Sequence, residues 1–299
     1  MRSPIHIANR AELLESISMH ISKYGNYVNL NHLDVSNVTD MSLLFLQESD
    51  FNGDISQWDT SNVTNMRYMF WSSKFNGDIS KWNTSNVLSL GWTFSECAFN
   101  GDISRWDVSN VRDMRFMFYN SYFNGDVSKW NTENLQEADG VFYKSHFNGD
   151  VSRWKMSKVT ELNNMFRDSP FDGDVSSWDV SKVRSMAWTF KDTPFQGDVS
   201  QWNIQPDAAI SDLFSRWNES PLGYYLLLKS GPQTPSVDFP PDDPRAALLL
   251  HLRALTTSLD LSGMEAAQFI YSAMNAPSLE ASIPSALSTA TRTSSSISW

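Results

Sequence analysis

The chain has little of what most enzymes and membrane proteins need. It contains one cysteine in 299 residues, so no internal disulfide can form and a cage of thiolates around zinc is excluded. The five histidines (His6, His20, His32, His146 and His251) are scattered, which removes most metal-hydrolase schemes. Acidic residues outnumber basic ones, 34 to 23, for a formal charge of −11. Nucleic-acid affinity comes mostly from Lys and Arg on phosphates, so no nucleic-acid partner is expected. No apolar run approaches the roughly 18–20 residues that span a bilayer. Residues 1–30 lack the apolar core and small-residue cleavage site of a Sec signal. The expected location is therefore cytoplasmic, or outside the cell by a non-Sec route. There is no GxxxxGK[ST] and no GxGxxG.

What is present is a period. Phe recurs every 24 residues at Phe51, Phe75, Phe99, Phe123, Phe147, Phe171 and Phe195. Gly follows at Gly53, Gly77, Gly101, Gly125, Gly149, Gly173 and Gly197, and Asp at Asp54, Asp78, Asp102, Asp126, Asp150, Asp174 and Asp198. Trp closes each block at Trp58, Trp82, Trp106, Trp130, Trp154, Trp178 and Trp202. A second half carries Val63, Met66 and Phe70 at i, i+3 and i+7, the period of one helical face. Its final Phe recurs at Phe94, Phe118, Phe142, Phe166, Phe190 and Phe214, and a further copy runs from Leu33 to Phe45.

Self-similarity at this period means a solenoid. One unit cannot bury its apolar face alone, so neighbours must stack. The reading is an α/β solenoid of about eight 24-residue coils with helical caps. Each coil holds a short strand near Ile55–Ser56 and a helical turn near Met66–Phe70, with parallel pairing at about 4.8 Å between coils. The glycine of Phe-Asn-Gly-Asp requires either positive φ or close backbone approach. Ile55 and Trp58 are three apart, which two-residue alternation does not explain, so the chain must bend near Gln57.

Four segments follow. Residues 1–32 form an N-terminal helical cap: Asn9 and Glu12 have capping-box spacing, Leu13, Leu14, Ile17 and Ile21 form a stripe, and Gly25 ends it. Residues 33–215 are the repeat solenoid. Residues 216–284 are a C-terminal cap and helical extension with a Pro-rich linker, Pro232 to Pro244, then helices at Ala246–Leu259 and Met264–Met274. Residues 285–299 are a disordered Ser/Thr-rich tail, with nine Ser or Thr in 15 positions.

The unit FNGDISQWDTSNVTNMRYMF resembles the BspA-like leucine-rich-repeat surface proteins of bacteria. More closely it resembles a branch known as a bacterial domain of unknown function, also seen in lipoproteins of wall-less bacteria. The likeness covers about residues 9–215. It implies a right-handed, leucine-rich-repeat-like solenoid used for binding, with no catalytic residues to carry over and no cofactor. Members are often exported and anchored, and this chain shows neither signal. Residues 216–299 resemble nothing in the family.

Each candidate site also has a structural reading. The Asp column either binds Ca²⁺ or accepts backbone N–H groups in its own turns, and the second reading is preferred. Before each Trp, four consecutive coils carry a cation at Lys81, Arg105, Lys129 and Arg153, a stripe roughly 15 Å long. It either faces an acidic protein, a phosphate or an anionic glycan, or lies over the Trp column or neutralises the Asp column. The Trp column reads as core rather than a sugar platform. Trp71, Tyr119, Tyr143 and Trp188 depart from the repeat and are candidate partner anchors. Cys97 replaces Ser in a column with Ser73, Ser121, Ser145 and Ser169 and reads as a small filler. The function expected is a non-enzymatic scaffold for protein–protein recognition. The alternatives are a glycan-binding adhesin and a host-delivered effector whose activity lies in the C-terminal region.

Overall fold

The computed structural model describes residues 4–213 apart from 47, 198, 200, 206 and 211. Asp198, Phe214, the Pro-rich linker, both C-terminal helices and the Ser/Thr-rich tail lie outside the described residues.

The chain starts with strand β1 (Ile5–His6), helix α1 (Arg10–Tyr24) and strand β2 (Leu33–Asp34), and β1 pairs with β2 in parallel. Asn9 caps α1 by accepting the Glu12 N–H at 3.1 Å, while Glu12 Oε2 accepts the Ala8 N–H at 2.8 Å. Gly25 ends the helix at φ 84°, a left-handed geometry that suits glycine. Leu13, Ile17 and Ile21 are buried against the first coil, with Leu14 half-buried.

From Asp40 onward the chain returns to the same place every coil. Parallel bridges join Asp40 to Asn65, Asn65 to Ser89, Ser89 to Asp113, and so on through Glu137, Glu161 and Ser185 to Ala209. Rings of equivalent residues stack accordingly. In the column from Phe51 to Phe195, neighbouring centroids are 6.1–6.4 Å apart. In the column from Phe45 to Phe190 they are 5.2–5.7 Å apart. The two columns interlock within each coil at 3.8–4.4 Å. Each Trp of the third column is buried and donates its Nε1–H to a carbonyl of the preceding coil, as Trp82 does to Ile55 at 3.1 Å.

Local structure differs from the expected strand and helical turn. At Ile55–Ser56 there is a turn, closed by the Trp58 N–H on the Ile55 carbonyl at 3.2 Å. This is the bend that the three-residue spacing of Ile55 and Trp58 demands. The stretch after Met66 is not helical: α1 is the one α-helix among the described residues. Met69 bonds back to Met66 and Trp71 to Tyr68, giving overlapping four-residue turns, while the N–H groups of Met66, Tyr68, Phe70 and Ser72 donate to Ser89, Gly91, Thr93 and Ser95 of the next coil. Tyr68 and Ser72 have φ of 57° and 55°, which no α-helix contains. The turns still place Met66, Met69 and Phe70 inside, which is why their spacing imitates a helix.

The repeat glycines answer the second of the two demands. At Gly101 a Cβ would lie 2.8 Å from Phe99 Cε2, so the fully buried ring two residues earlier occupies the side-chain space. Left-handed backbone instead falls on two other columns, one at Leu43, Tyr68, Trp92, Phe116, Gly140, Asn164, Trp188 and Asp212, the other at Ser72, Glu96, Asn120, Lys144, Asp168 and Asp192. Such φ values are unfavourable for side-chain-bearing residues and persist because the hydrogen bonds to the next coil over-determine them.

Candidate recognition face

The Asp column takes the capping role. Asp54, Asp78, Asp102, Asp126, Asp150 and Asp174 each accept, through Oδ1, the N–H of the Ser two residues on, at 2.8–3.0 Å. For Asp78 that N–H, the Ser80 hydroxyl and then the charge of Lys81 hold the carboxyl below the usual carboxylate range. Among the described residues no group of three or more His, Cys, Asp or Glu is arranged to hold a metal ion. Cys97 is buried, its Sγ lies 3.5 Å from the Phe75 carbonyl, and burial pushes its thiol up to about 12. A thiol so raised is an unreactive filler.

Lys81, Arg105, Lys129 and Arg153 are all exposed. The charges of Lys81, Arg105 and Lys129 each act on the Asp three residues earlier. No cation–ring contact joins these four to the Trp column among the described residues. The stripe is a row of solvated charges balancing the Asp turns.

The two left-handed columns build a different surface. At the Tyr68 position, Tyr68, Trp92 and Phe116 are half-buried and Trp188 is exposed. Tyr68 stacks on Trp92 at 5.7 Å, and Trp92 on Phe116 at 4.4 Å. Trp71 meets Tyr68 edge-on at 6.2 Å, and Tyr119 meets both Trp92 and Phe116 edge-on at 6.1 Å. Tyr119 continues to Tyr143 at 5.0 Å. The Arg167 guanidinium then lies 5.3 Å from the Tyr143 ring centre and 5.8 Å from that of Trp188, and the Trp188 indole N–H donates to Asp212 at 3.0 Å. The ridge runs along six coils. It unites the expected anchors Trp71, Tyr119, Tyr143 and Trp188, and adds Tyr68, Trp92, Phe116 and Arg167, which the sequence reading passed over. The signal for these was available: the column Leu43, Tyr68, Trp92, Phe116, Gly140, Asn164, Trp188, Asp212 changes at almost every coil, while the Phe, Gly and Trp columns do not change.

Charged side chains flank the ridge on the bridge column. Asp113 is 8% exposed and takes Arg115 Nε at 3.0 Å and Nη2 at 3.3 Å on its two oxygens, with Arg67 Nη1 at 3.6 Å. Burial pushes its carboxyl up, but the hydrogen bonds and charge of Arg115 and the Ser89 hydroxyl outweigh burial and hold it low. One coil on, Asp139 is equally buried but has no such partner. Burial first, then the charges of Glu161 and Glu137, push it up to about 6, although the Asn163 N–H donates to it at 2.9 Å.

This difference has a measurable consequence. A carboxyl that ionises near 6 when folded and near 3.9 when unfolded binds its proton more tightly in the native state. Its contribution to stability is therefore fully present below about 3.9 and lost as pH rises through about 6. Asp139→Asn keeps the acceptor for Asn163 and removes the charge. The variant is expected to be more stable than the parent at pH 7.5 by about 1–2 kcal/mol, after allowance for solvent screening, and equal to it near pH 3.5. Urea midpoints at the two pH values check this.

A chain whose equivalent residues bridge and stack every 24 residues is a repeat protein, and sequence comparison says of which kind. A family model described as "Mycoplasma protein of unknown function, DUF285" matches residues 14–122, 71–148 and 120–221. The chain belongs to this repeat family of unknown function. No curated protein and no solved structure matches the chain. Among the described residues no helix is long and apolar enough to cross a membrane.

Proposed function

We propose that the chain is a non-enzymatic scaffold, a right-handed leucine-rich-repeat-like solenoid of the BspA-like kind, whose aromatic ridge recognises a protein partner. The observation that carries this reading is the ridge itself. Six coils contribute Tyr, Trp, Phe or Arg to one strip, and Trp, Tyr and Arg are the residue types that dominate protein–protein hot spots. The fold class rests on the parallel bridges and ring columns 24 residues apart, and the family name on the repeat string.

The ridge geometry favours a protein over a glycan. Sugar platforms present the open face of a ring. Here Tyr68, Trp92 and Phe116 face one another, with interplanar angles of 17° and 25°, so the stacked faces cover one another. The effector alternative places activity in residues 216–299, outside the described residues.

A photo-crosslinking residue placed at Tyr119 or at Lys129 separates the ridge from the cation stripe. Adducts to one protein from position 119, abolished in a Trp71→Ala/Trp188→Ala background, are the expected result. Adducts only from position 129, lost in the Lys81/Arg105/Lys129/Arg153 quadruple alanine variant, would move the recognition face to the stripe. Capture of a glycan array by the intact chain would replace the protein reading altogether.

A further inference from the structure

The asparagine of Phe-Asn-Gly-Asp recurs at Asn52, Asn76, Asn100, Asn124 and Asn148, each time before glycine. These side chains form a ladder. Oδ1 of each rung accepts the backbone N–H of the equivalent residue one coil on, at 2.9 Å for Asn52 to Asn124 and at 3.0 Å for Asn148. Asn76, Asn100, Asn124 and Asn148 are exposed. Among the described residues their Nδ2 atoms donate to no acceptor, and neither do the N–H groups of Gly77, Gly101, Gly125 and Gly149 that follow them.

A second set of asparagines differs on every count. Asn62, Asn86, Asn110 and Asn134 donate Nδ2 to the carbonyls of Ser36, Ser61, Ser85 and Ser109 at 2.7–2.8 Å. Each precedes Val or Leu. The N–H that follows is engaged as well, as that of Val87 is on Thr84 at 2.9 Å.

An asparagine before glycine carries its own nucleophile, the next backbone nitrogen, held within reach by the chain. Glycine has no side chain to obstruct the attack. In the ladder the nitrogen and the leaving amide are unengaged, while the carbonyl is held. Negative charge builds on Oδ1 when nitrogen adds to Cγ, and again when water adds to Cγ. The N–H of the next coil already sits where a fixed donor stabilises such an oxyanion.

We propose that Asn76, Asn100, Asn124 and Asn148 are sites of self-modification, each converted to aspartate through a succinimide beneath the N–H of the next coil. The glycine nitrogen loses its proton to hydroxide and bonds to Cγ. The Cγ–Nδ2 bond breaks, and the amide leaves as ammonia with a proton from water. Water then adds to Cγ, the Cγ–N bond opens, and the nitrogen regains a proton. The sum is asparagine and water to aspartate and ammonia, with no oxidation. Attack of water on the other imide carbonyl would give isoaspartate, which adds a carbon to the main chain and disturbs the 24-residue register. The donor on Oδ1 activates Cγ over that carbonyl, so the ladder steers the product. One rung already has the product's form: Asp172, before Gly173, accepts the Gln196 N–H through Oδ1 at 2.9 Å. Aspartate therefore carries the rung. Asn52 is set apart, because it is half-buried and Gly53 is packed against the Val28 carbonyl.

The test incubates the intact chain at pH 8 and 37 °C, folded in buffer and unfolded in concentrated urea. Peptide mapping with electron-based fragmentation then locates each gain of one mass unit and separates aspartate from isoaspartate. In the folded chain the four rungs should convert, while Asn62, Asn86, Asn110 and Asn134 remain amides. The ratio of aspartate to isoaspartate at the rungs should exceed that in urea by about fivefold or more, the factor given by one hydrogen bond of about 1 kcal/mol. Asp172→Asn recreates the repeat's own Phe-Asn-Gly-Asp, so it folds as the other coils do. In the folded chain position 172 should return to aspartate with the same preference. Rungs that stay amides in the folded chain, conversion no faster than at the second set, or the same product ratio folded and unfolded would each overturn the proposal.

Discussion

Phe142→Ala is expected to destabilise the protein by about 3–5 kcal/mol, the range for truncating a fully buried Phe. Phe142 is completely buried. Its ring lies 3.8 Å from Phe147, 5.6 and 5.7 Å from Phe118 and Phe166 in the coils on either side, and 5.8 Å from Trp154. Aromatic pairs contribute about 0.5–1.5 kcal/mol each beyond the area they bury. The cavity also cannot collapse, because the neighbouring rings are held in columns by coils whose backbones are bonded to one another. Architecture gives a second expectation. Each coil touches only its neighbours, so stability is a sum of coil and interface terms. A gap at Phe142 weakens the interfaces on both sides of one coil, and unfolding in urea should split into two transitions where the parent shows one. Phe142→Leu, which keeps most of the volume, should cost about 1–1.5 kcal/mol and leave a single transition. A shift below 1 kcal/mol for the alanine variant would mean that the columns are not close-packed.

How much of this was legible beforehand depends on the kind of information. Columns are a property of period, and the period is written without insertion from Phe51 to Trp202. The burial of Phe, Trp, Val and Met followed from it, and the capping of α1 by Asn9 from its spacing to Glu12. Local backbone did not. Met66, Met69 and Phe70 point inward whether the chain makes one helical turn or two overlapping four-residue turns, so hydrophobic spacing cannot separate the two. What decides is where the N–H groups go, and that depends on the next coil. The same ambiguity hid half of the ridge. Trp71, Tyr119 and Tyr143 stood out because they follow the last Phe of a unit. Tyr68, Trp92 and Phe116 lie inside the supposed helix, and no residue there announces positive φ, since Tyr, Trp and Phe are poor candidates for it. The asparagine ladder was missed for a related reason. Asn52, Asn76, Asn100 and Asn124 each accept, through the side chain, the N–H of the equivalent residue one coil on, at 2.9 Å. A polar residue repeated beside Gly reads as a turn former before it reads as a rung.

The junction between the cap and the first coil depends on one residue with no side chain. A Cβ at Gly53 would lie 2.1 Å from the Val28 carbonyl oxygen and 2.6 Å from Phe51 Cε2. The first of these is backbone, and it is committed: the Val28 carbonyl accepts the Asp54 N–H at 3.2 Å, next to the Leu30 N–H on the Asp54 carbonyl at 2.8 Å and the Asn29–Asp54 bridge. The second is the buried start of the Phe51 column. Neither neighbour can give way, unlike the far end of an exposed side chain. Gly53→Ala is therefore expected to cost about 2–3 kcal/mol or more, at the upper end for overpacking. The damage should be local. The clash parts the segment Asn26–Asn31 from the first full coil, and with it α1, β1 and β2, while Asn65 to Ala209 keep their bridges. Native-state hydrogen exchange reads this directly, because separate cooperative units open with separate free energies. Amides of Leu13–Tyr24 and of Leu30 should lose protection in the variant by a factor of about 30 or more, the equivalent of 2 kcal/mol. Those of Phe118, Phe142 and Phe166 should exchange as in the parent. Gly101→Ala is the comparison. There the nearest atoms belong to Phe99 and the carbonyl of Gly77 is 3.7 Å away, so the clash falls on the middle of the column and protection should drop in the coils on both sides while α1 keeps its own. Equal exchange profiles for the two variants would show that the cap and the coils unfold as one unit.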